Sequence, residues 1–413
     1  MDILYEGFEP HRFTVQEEVS PFKKHKRKIV LLLALIIIVC AGTVLFYLKT
    51  ISSEPASIIT TQSQSYDLPP KLTPPKPVTL PFPQSVCSGS TFQVTNNLQN
   101  ARLENCVVFI KGNNLIISTV EFINSPVVVE NSSRITFKDV VFSRSNDFPS
   151  LPKKVTKEVA IFLVNSNDIY FDHVLVSDNQ NGLYVENSSG IEIQNSFFER
   201  NIGDFGAIHM ESSTPIRIHD NVFRMNYPLA MYFNNKNGSE QATFEVFKNS
   251  IQNGILYGIL VENWKSSGVS RVFNNVILGG RGAGIAVQFE SNPATIDILN
   301  NYIGKKTSCE VLTSLLPIDL GNGWCFAKSD GIKLENTQKV ALRGNVLIEN
   351  ERHGLDLRDA KEIDVTRNSF VKNGTYAIFA ASSYFQSTNN TFHANTSMVH
   401  EQEEPAPEAM RVF

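Results

Sequence analysis

The chain has 413 residues, and its formal net charge of −4 leaves no basic footprint of a nucleic-acid binder. Its length, 28 Phe and 23 Gly suffice for one elongated core with appendages.

Residues 1–28 are polar and end in the basic block Lys23-Lys24-His25-Lys26-Arg27-Lys28. Residues 29–48 carry no charge and are long enough to cross a bilayer as a helix. This run exceeds the apolar core of a cleaved signal peptide and begins only after a long polar tail. The basic flank predicts a cytosolic N-terminus, hence a type II signal anchor with the bulk of the chain extracellular or luminal. A span of this length suits the cell surface and the Golgi alike. Residues 49–85 are rich in Ser, Thr, Gln and Pro and predict an extended stalk.

Residues 86–112 are expected to cap the first coil of a repeat array that begins near residue 113, because an uncovered coil is an exposed sheet edge. Cys40 lies in the apolar run. Proximity in sequence pairs Cys87 with Cys106 and Cys309 with Cys325, although other connectivities stay open.

From about residue 113 to residue 392 the sequence repeats. One landmark is a polar residue, mostly Asn, closely followed by an apolar one: Asn195-Ser-Phe, Asn221-Val-Phe, Asn249-Ser-Ile, Asn275-Val-Ile, Asn301-Tyr-Ile, Asn345-Val-Leu, Asn368-Ser-Phe and Asn390-Thr-Phe. The other is a small residue opening an alternating strand, as in Gly182-Leu-Tyr-Val-Glu, Ala207-Ile-His-Met-Glu, Gly258-Ile-Leu-Val-Glu and Gly331-Ile-Lys-Leu-Glu. A period of roughly 22–28 residues marks a stacked array. Short period-2 strands without a helical stretch predict an all-β parallel solenoid over residues 86–395. An Asn at the same corner of every coil can adopt the left-handed conformation and bond its amide to the next Asn.

These landmarks resemble the right-handed parallel β-helix of the pectate-lyase-like superfold, in particular its carbohydrate-binding, sugar-hydrolase and NosD-type repeats. The resemblance implies a coiled β domain and a glycan or polysaccharide partner. It does not select an activity, because the same fold serves lyases, hydrolases, epimerases and inert adhesins. The sequence lacks a dense Asp cluster of the pectate-lyase type, the Asn-Thr-Asp and Gly-His-Gly signatures of polygalacturonases, and the Asp-Pro-His-Glu signature of alginate epimerases.

Alternation assigns an outward pair to each coil: Tyr184/Glu186, His209/Glu211, Tyr232/Asn234, Leu260/Glu262, Ala286/Gln288, Lys333/Glu335, Asp356/Arg358 and Phe379/Ala381. Stacked in register, the pairs form an exposed strip of rings, carboxylates and amides suited to sugar hydroxyls and sugar faces. Tyr184, Glu186, Asn234, Glu262, Gln288, Glu335 and Arg358 are the expected glycan contacts. Longer stretches at 143–157 and 304–328 leave the same corner and are expected to overhang the strip. The five coils between them span ~24 Å.

For an enzyme, His209, Glu211 and Tyr232 are candidates for proton transfer at a sugar carbon. A second group, including Asp330, Lys333, Glu335, His353, Asp356 and Arg358, offers a base beside stabilising cations, as β-elimination from a uronate requires. Calcium can supply part of that charge. Glu335 with Asp356 would suit glycoside hydrolysis instead. The alternatives are a non-catalytic adhesion or interaction scaffold and a merely solvated polar face. His173, His219 and His393 stand singly without ligand spacing, so no metal centre is expected.

Sequons at Asn131, Asn187, Asn237, Asn373, Asn389 and Asn395 predict a glycoprotein, in keeping with paired cysteines outside the cytosol. Residues 396–413 turn acidic and Pro-bearing and are expected to be a disordered tail.

Overall fold

The computed structural model describes residues 85–87, 91–145, 158–252, 256–289, 294–304 and 329–402. The apolar span at 29–48, most of the stalk, Cys40, Cys309, Cys325 and most of both longer stretches lie outside these residues. Among the described residues every regular element is a strand, and no helix is long and apolar enough to cross a membrane.

The strands coil into a parallel solenoid. One wall is a thirteen-stranded sheet that runs from Thr91–Val94 to Ser397–Gln402. A 21-stranded sheet supplies the rest of each coil. Most coils give it two strands, such as Ser189–Gln194 and Phe197–Glu199. In early coils one strand, such as Asn113–Ile123, does the work of both and bends at left-handed Thr119 (φ 55°). In the thirteen-stranded wall each strand bonds its counterparts one coil away, so the wall covers ~58 Å of stacking.

Alternation fixes the interior. Leu183 and Val185, Ile208 and Met210, Ile259 and Val261, and Leu355 and Leu357 all enter one continuous apolar core. Large rings inside it stack on their own kind one coil away. Phe137 lies 4.8 Å from Phe171 with planes 5° apart, and Phe198 lies 5.0 Å from Phe223. These spacings match the coil rise, so the rings add dispersion contact without disturbing the ladder.

The polar corners obey a common rule. A residue in the left-handed region turns the chain, and the residue after it points inward and bonds the equivalent side chain of the next coil. Asp220 (φ 55°), Lys248 (φ 54°), Asn274 (φ 56°) and Asn300 (φ 53°) make the turn. Asn221, Asn249, Asn275, Asn301, Asn345 and Asn368 come directly after such residues and form the ladder, each side-chain amide donating to the next Oδ1 at 2.9–3.1 Å. The expectation that the ladder Asn itself adopts the left-handed conformation is therefore corrected. The two tasks are divided between neighbours because an outward-turning corner residue cannot also reach the core. In the Asn195 coil it is Ser196 that joins the ladder, accepting from Val174 N and donating its own N–H to Asn221 Oδ1.

Two more corners work the same way. Ser132, Ser166, Ser188 and Ser213 form one ladder at 3.1–3.2 Å. Asn179, Asn201 and Asn226 begin another, which Asn350, Asn373 and Asn395 resume. Asn373 is thus 1 % exposed, and its amide donates to Leu347 O and Asn395 Oδ1. A glycan cannot be carried there in the folded chain, which corrects that sequon. Asn395 is half-buried and its amide nitrogen donates to Phe370 O, so it too is committed to the corner. Asn131, Asn187, Asn237 and Asn389 are exposed.

The small residue opening each strand of the thirteen-stranded wall has a steric cause. A Cβ on Gly258 would stand 2.5 Å from Gly284 O in the next coil. At the N-terminal end, Cys87 and Cys106 form a disulfide with Cα atoms 6.4 Å apart. The segment expected as a cap is itself coil, since Thr91–Val94 pairs with Val107–Ile110 and that strand with Val127–Glu130. At the other end Ser397–Gln402 pairs with Tyr376–Ala381. The expected tail boundary at residue 396 is corrected accordingly, because Met398 and Val399 sit in a strand despite the acidic residues beyond them.

Candidate functional site

The outer face of the thirteen-stranded wall carries two columns in register. Tyr184 pairs with His209, His209 with Tyr232, Tyr232 with Leu260, Leu260 with Ala286, Ala286 with Lys333, and Lys333 with Asp356. Beside them Glu186, Glu211, Asn234, Glu262, Gln288, Glu335 and Arg358 form the second column, through the same strand pairs. The coil-by-coil pairing expected from the sequence holds.

The exposure expected of the strip holds for the second column, whose members are half-buried, and in the first column only for His209, Tyr232 and Lys333. The rest of the first column is withdrawn: Tyr184, Ala286 and Asp356 are 0 % exposed and Leu260 is 8 %. Pointing away from the core is not the same as facing water. Outward rings rest on one another and gather into small apolar clusters of their own, one around Val128, Phe162 and Tyr184 and one around Leu229, Leu260 and Ala286.

His209 is sandwiched between Tyr184 at 4.6 Å and Tyr232 at 4.4 Å. Phe205 meets Tyr184 and His209 edge-on at 5.5 and 5.0 Å, a contact the sequence pattern did not signal. The phenols reach across to the second column. Tyr184 donates to Glu211 Oε2, and Tyr232 donates to Glu262 Oε2 at 2.6 Å while accepting from Asn234 Nδ2 at 3.0 Å. Burial, reinforced by these carboxylates, pushes both phenols well above the usual tyrosine value. They are therefore fixed donors rather than bases. The expected proton-transfer trio is adjacent but differently partnered. Tyr232 serves Glu262, and Glu211 takes Tyr184, with His209 Nε2 3.8 Å from Glu211 Oε2.

The charged group lies beyond the Leu260 and Ala286 coils. Asp330, His353 and Asp356 are 2 %, 7 % and 0 % exposed. Arg352 bonds both oxygens of Asp330 at 3.2 and 2.9 Å and Asp356 Oδ2 at 3.1 Å. Arg358 bonds both oxygens of Asp356 at 3.1 Å. Lys333, expected to act beside Asp356, instead donates to Glu335 Oε2 at 2.6 Å. Glu335 is in register with Arg358, two positions along the strands from Lys333 and Asp356. Burial raises the Asp330 carboxyl despite Arg352, with Asp356 adding to the rise, and burial lowers the His353 imidazole against the pull of both carboxylates. Arg352 was not singled out by the repeat, because it precedes the strand and has no fixed place in the alternation.

Two family descriptions match the chain. "Right handed beta helix region" matches residues 237–401, and "Periplasmic copper-binding protein (NosD)" matches 85–242 and 136–314. No curated protein matches in sequence. Among solved structures, the surface protein and adhesin PfbA of Streptococcus pneumoniae is similar at 12% identity and TM-score 0.44, covering 76% of this chain and 91% of that one. The periplasmic alginate epimerase AlgG is similar at 13% identity and TM-score 0.40, covering 78% and 79%. The catalytic domain of a GH87 α-1,3-glucanase in complex with tetrasaccharides is similar at 11% identity and TM-score 0.42, covering 75% and 64%.

Proposed function

We propose that this chain, which belongs to the right-handed parallel β-helix family, binds glycan along the half-exposed column of its thirteen-stranded wall. The observation carrying this reading is the column itself. Glu186, Glu211, Asn234, Glu262, Gln288, Glu335 and Arg358 set one hydrogen-bonding group on each of seven successive coils at a rise of ~4.8 Å. The tyrosine hydroxyls hold Glu211 and Glu262 in place, so less side-chain freedom is lost when a ligand binds. Four carboxylates in the column repel a polyanion, which favours neutral or amino sugars over uronates along most of its length.

Binding without turnover fits the geometry better than catalysis. The imidazoles and two of the candidate carboxylates are largely withdrawn from solvent: Asp330, His353 and Asp356 are at most 7 % exposed and the His209 side chain is 12 % exposed, which leaves Glu211 and Glu335 as the open carboxylates. The enzymatic alternative is a lyase, epimerase or hydrolase, and it requires these groups to reach a substrate. In the same reading residues 29–48 anchor a type II membrane glycoprotein at the cell surface or in the Golgi, on the strength of the basic flank at 23–28.

A glycan array with neutral, amino and acidic oligosaccharides, run with and without calcium, tests the binding. Retention of neutral or amino sugars that is lost in a Glu211→Gln, Glu262→Gln double variant supports it. A blank array overturns it. Release of shortened or unsaturated sugars would replace it with the enzymatic reading.

A further inference from the structure

We infer that a notch at Gly344, on an outer corner of the 21-stranded sheet, binds one small polyhydroxy carboxylate, a sugar acid. The notch lies apart from the thirteen-stranded wall, so the inference does not depend on glycan binding there. At this corner the outward residues of successive coils are Asn195, Asp220, Lys248, Asn274, Asn300, Gly344, Arg367 and Asn389, all in the left-handed region. Seven of them hold that conformation with a side chain, so the backbone does not demand glycine at 344. Glycine instead leaves the corner open for one coil. A Cβ there would stand 2.2 Å from Asn300 Oδ1. Asn300 and Arg367 flank the opening, two coil rises or ~9.6 Å apart.

A cavity of about 510 Å³ surrounds Gly344, within the ~300–1,000 Å³ of small-molecule sites. Its charge favours an anion. Arg367 is exposed, and its guanidinium has no hydrogen-bond or ion-pair partner among the described residues. Arg343 gives Nε and Nη2 to Asp364 Oδ2 at 3.0 and 2.6 Å, and the Thr366 hydroxyl donates to Asp364 Oδ1. Both oxygens of the one lining carboxylate are therefore engaged within the protein. Two guanidiniums against that carboxylate leave the lining at +1 (2 − 1). Asp297, on the same sheet, faces Arg271 at 3.8 Å.

The rest of the lining supplies the other contacts of a sugar acid. The planar fork of Arg367 matches a carboxylate. Asn300 is exposed, and its amide offers a donor and an acceptor to hydroxyls. Half-buried Leu299 gives apolar surface to the C–H face of a ring, and half-buried Phe273, in register with it one coil away, continues that surface. An amine or a metal cation would instead meet two guanidiniums.

Saturation-transfer NMR of the full chain with glucuronate, glucose and acetate tests the site. Glucuronate should bind more tightly than either partial ligand, and added salt should weaken it. Arg367→Gln should weaken it ~10-fold or more, as loss of a hydrogen bond to a charged group does. Gly344→Asn should do the same by filling the notch with the residue the two preceding corners carry, and the melting temperature should stay close to that of the unaltered chain. Lys248→Gln removes the same charge at the same corner four coils from Arg367 and should change glucuronate binding little. Absent glucuronate binding, binding no tighter than that of acetate, or an equal loss in Lys248→Gln overturns the inference. So does full binding in both Arg367→Gln and Gly344→Asn.

Discussion

The Asn275 side-chain amide donates to Asn301 Oδ1 at 3.0 Å across 26 residues of sequence. Its own Oδ1 accepts from both the backbone and the side chain of Asn249. Asn275→Ala therefore strands several buried groups at once. A loss of about 2–4 kcal/mol is expected, from buried donors and acceptors that each cost ~1–3 kcal/mol when left bare. Asn390→Ala, at the half-buried end of the ladder, should cost less. Denaturant midpoints compared at equal slope check the difference. Equal losses would mean the ladder does not act through burial.

Tyr184 combines a buried ring with a hydroxyl on Glu211. Tyr184→Phe keeps the stack on His209 and lets water serve the half-exposed carboxylate, so a loss of about 1 kcal/mol or less is expected. Tyr184→Ala empties the space beneath His209 and should cost about 3 kcal/mol or more. Thermal or chemical unfolding separates the two, and a severe Tyr184→Phe would assign the stability to the hydrogen bond instead.

Burial raises Tyr170, Tyr184, Tyr232 and Tyr302, with Tyr184 and Tyr232 raised most. An unfolded tyrosine titrates near ~10. The folded chain holds these protons above that value while the unfolded chain releases them. The associated stability is thus complete below the unfolded value and is lost as pH climbs toward the folded ones. Tyrosinate absorbance should show late-titrating rings that ionise only with loss of the β spectrum. Prompt ionisation of all tyrosines in the folded chain would contradict the withdrawal of the Tyr184 and Tyr232 hydroxyls from water.

Gly258 faces the carbonyl of Gly284. Gly258→Val should force adjacent coils apart at a cost of about 1–3 kcal/mol or more, as overpacking does. Ala377→Gly, at an equivalent opening position already filled by a methyl group, should be milder. Expression and melting of the two variants make the comparison.

Glycopeptide mapping after expression in a glycosylating host should find sugar at Asn131 and Asn187 and none at Asn373. Asn187→Gln should leave stability unchanged, whereas Asn373→Gln should lower it. A glycan on Asn373 of the folded protein would disprove its place in the corner ladder.

The sequons show how far the sequence could be read. Asn131-Ser132 and Asn187-Ser188 are corner pairs, the Asn turned outward in the left-handed region and the Ser bonded inward. The corner rule thus writes sequons on its own account. It places the usable ones outside and hides Asn373 at a different corner. Strand phase was legible because inward Leu183, Val185 and their equivalents leave one choice of face. Burial of Tyr184 and Asp356 was not, since it depends on Phe162, Phe205 and other groups that lie beyond the strand's own pattern. Arg352 was missed for the same reason: it reaches Asp330 and Asp356 from the approach to a strand.

Asn275 and Asn301 are 26 positions apart and bond at 3.0 Å, Asn345 and Asn368 are 23 apart and bond at 2.9 Å, yet Asn301 and Asn345 are 44 apart and still bond at 3.1 Å. The stack is indifferent to contour length. Doubling a connecting segment costs only ~0.6 kcal/mol of closure entropy. A foreign peptide inserted between Gly304 and Ser329 is therefore expected to leave the axial register of the stack intact, which makes that stretch a place for grafted epitopes.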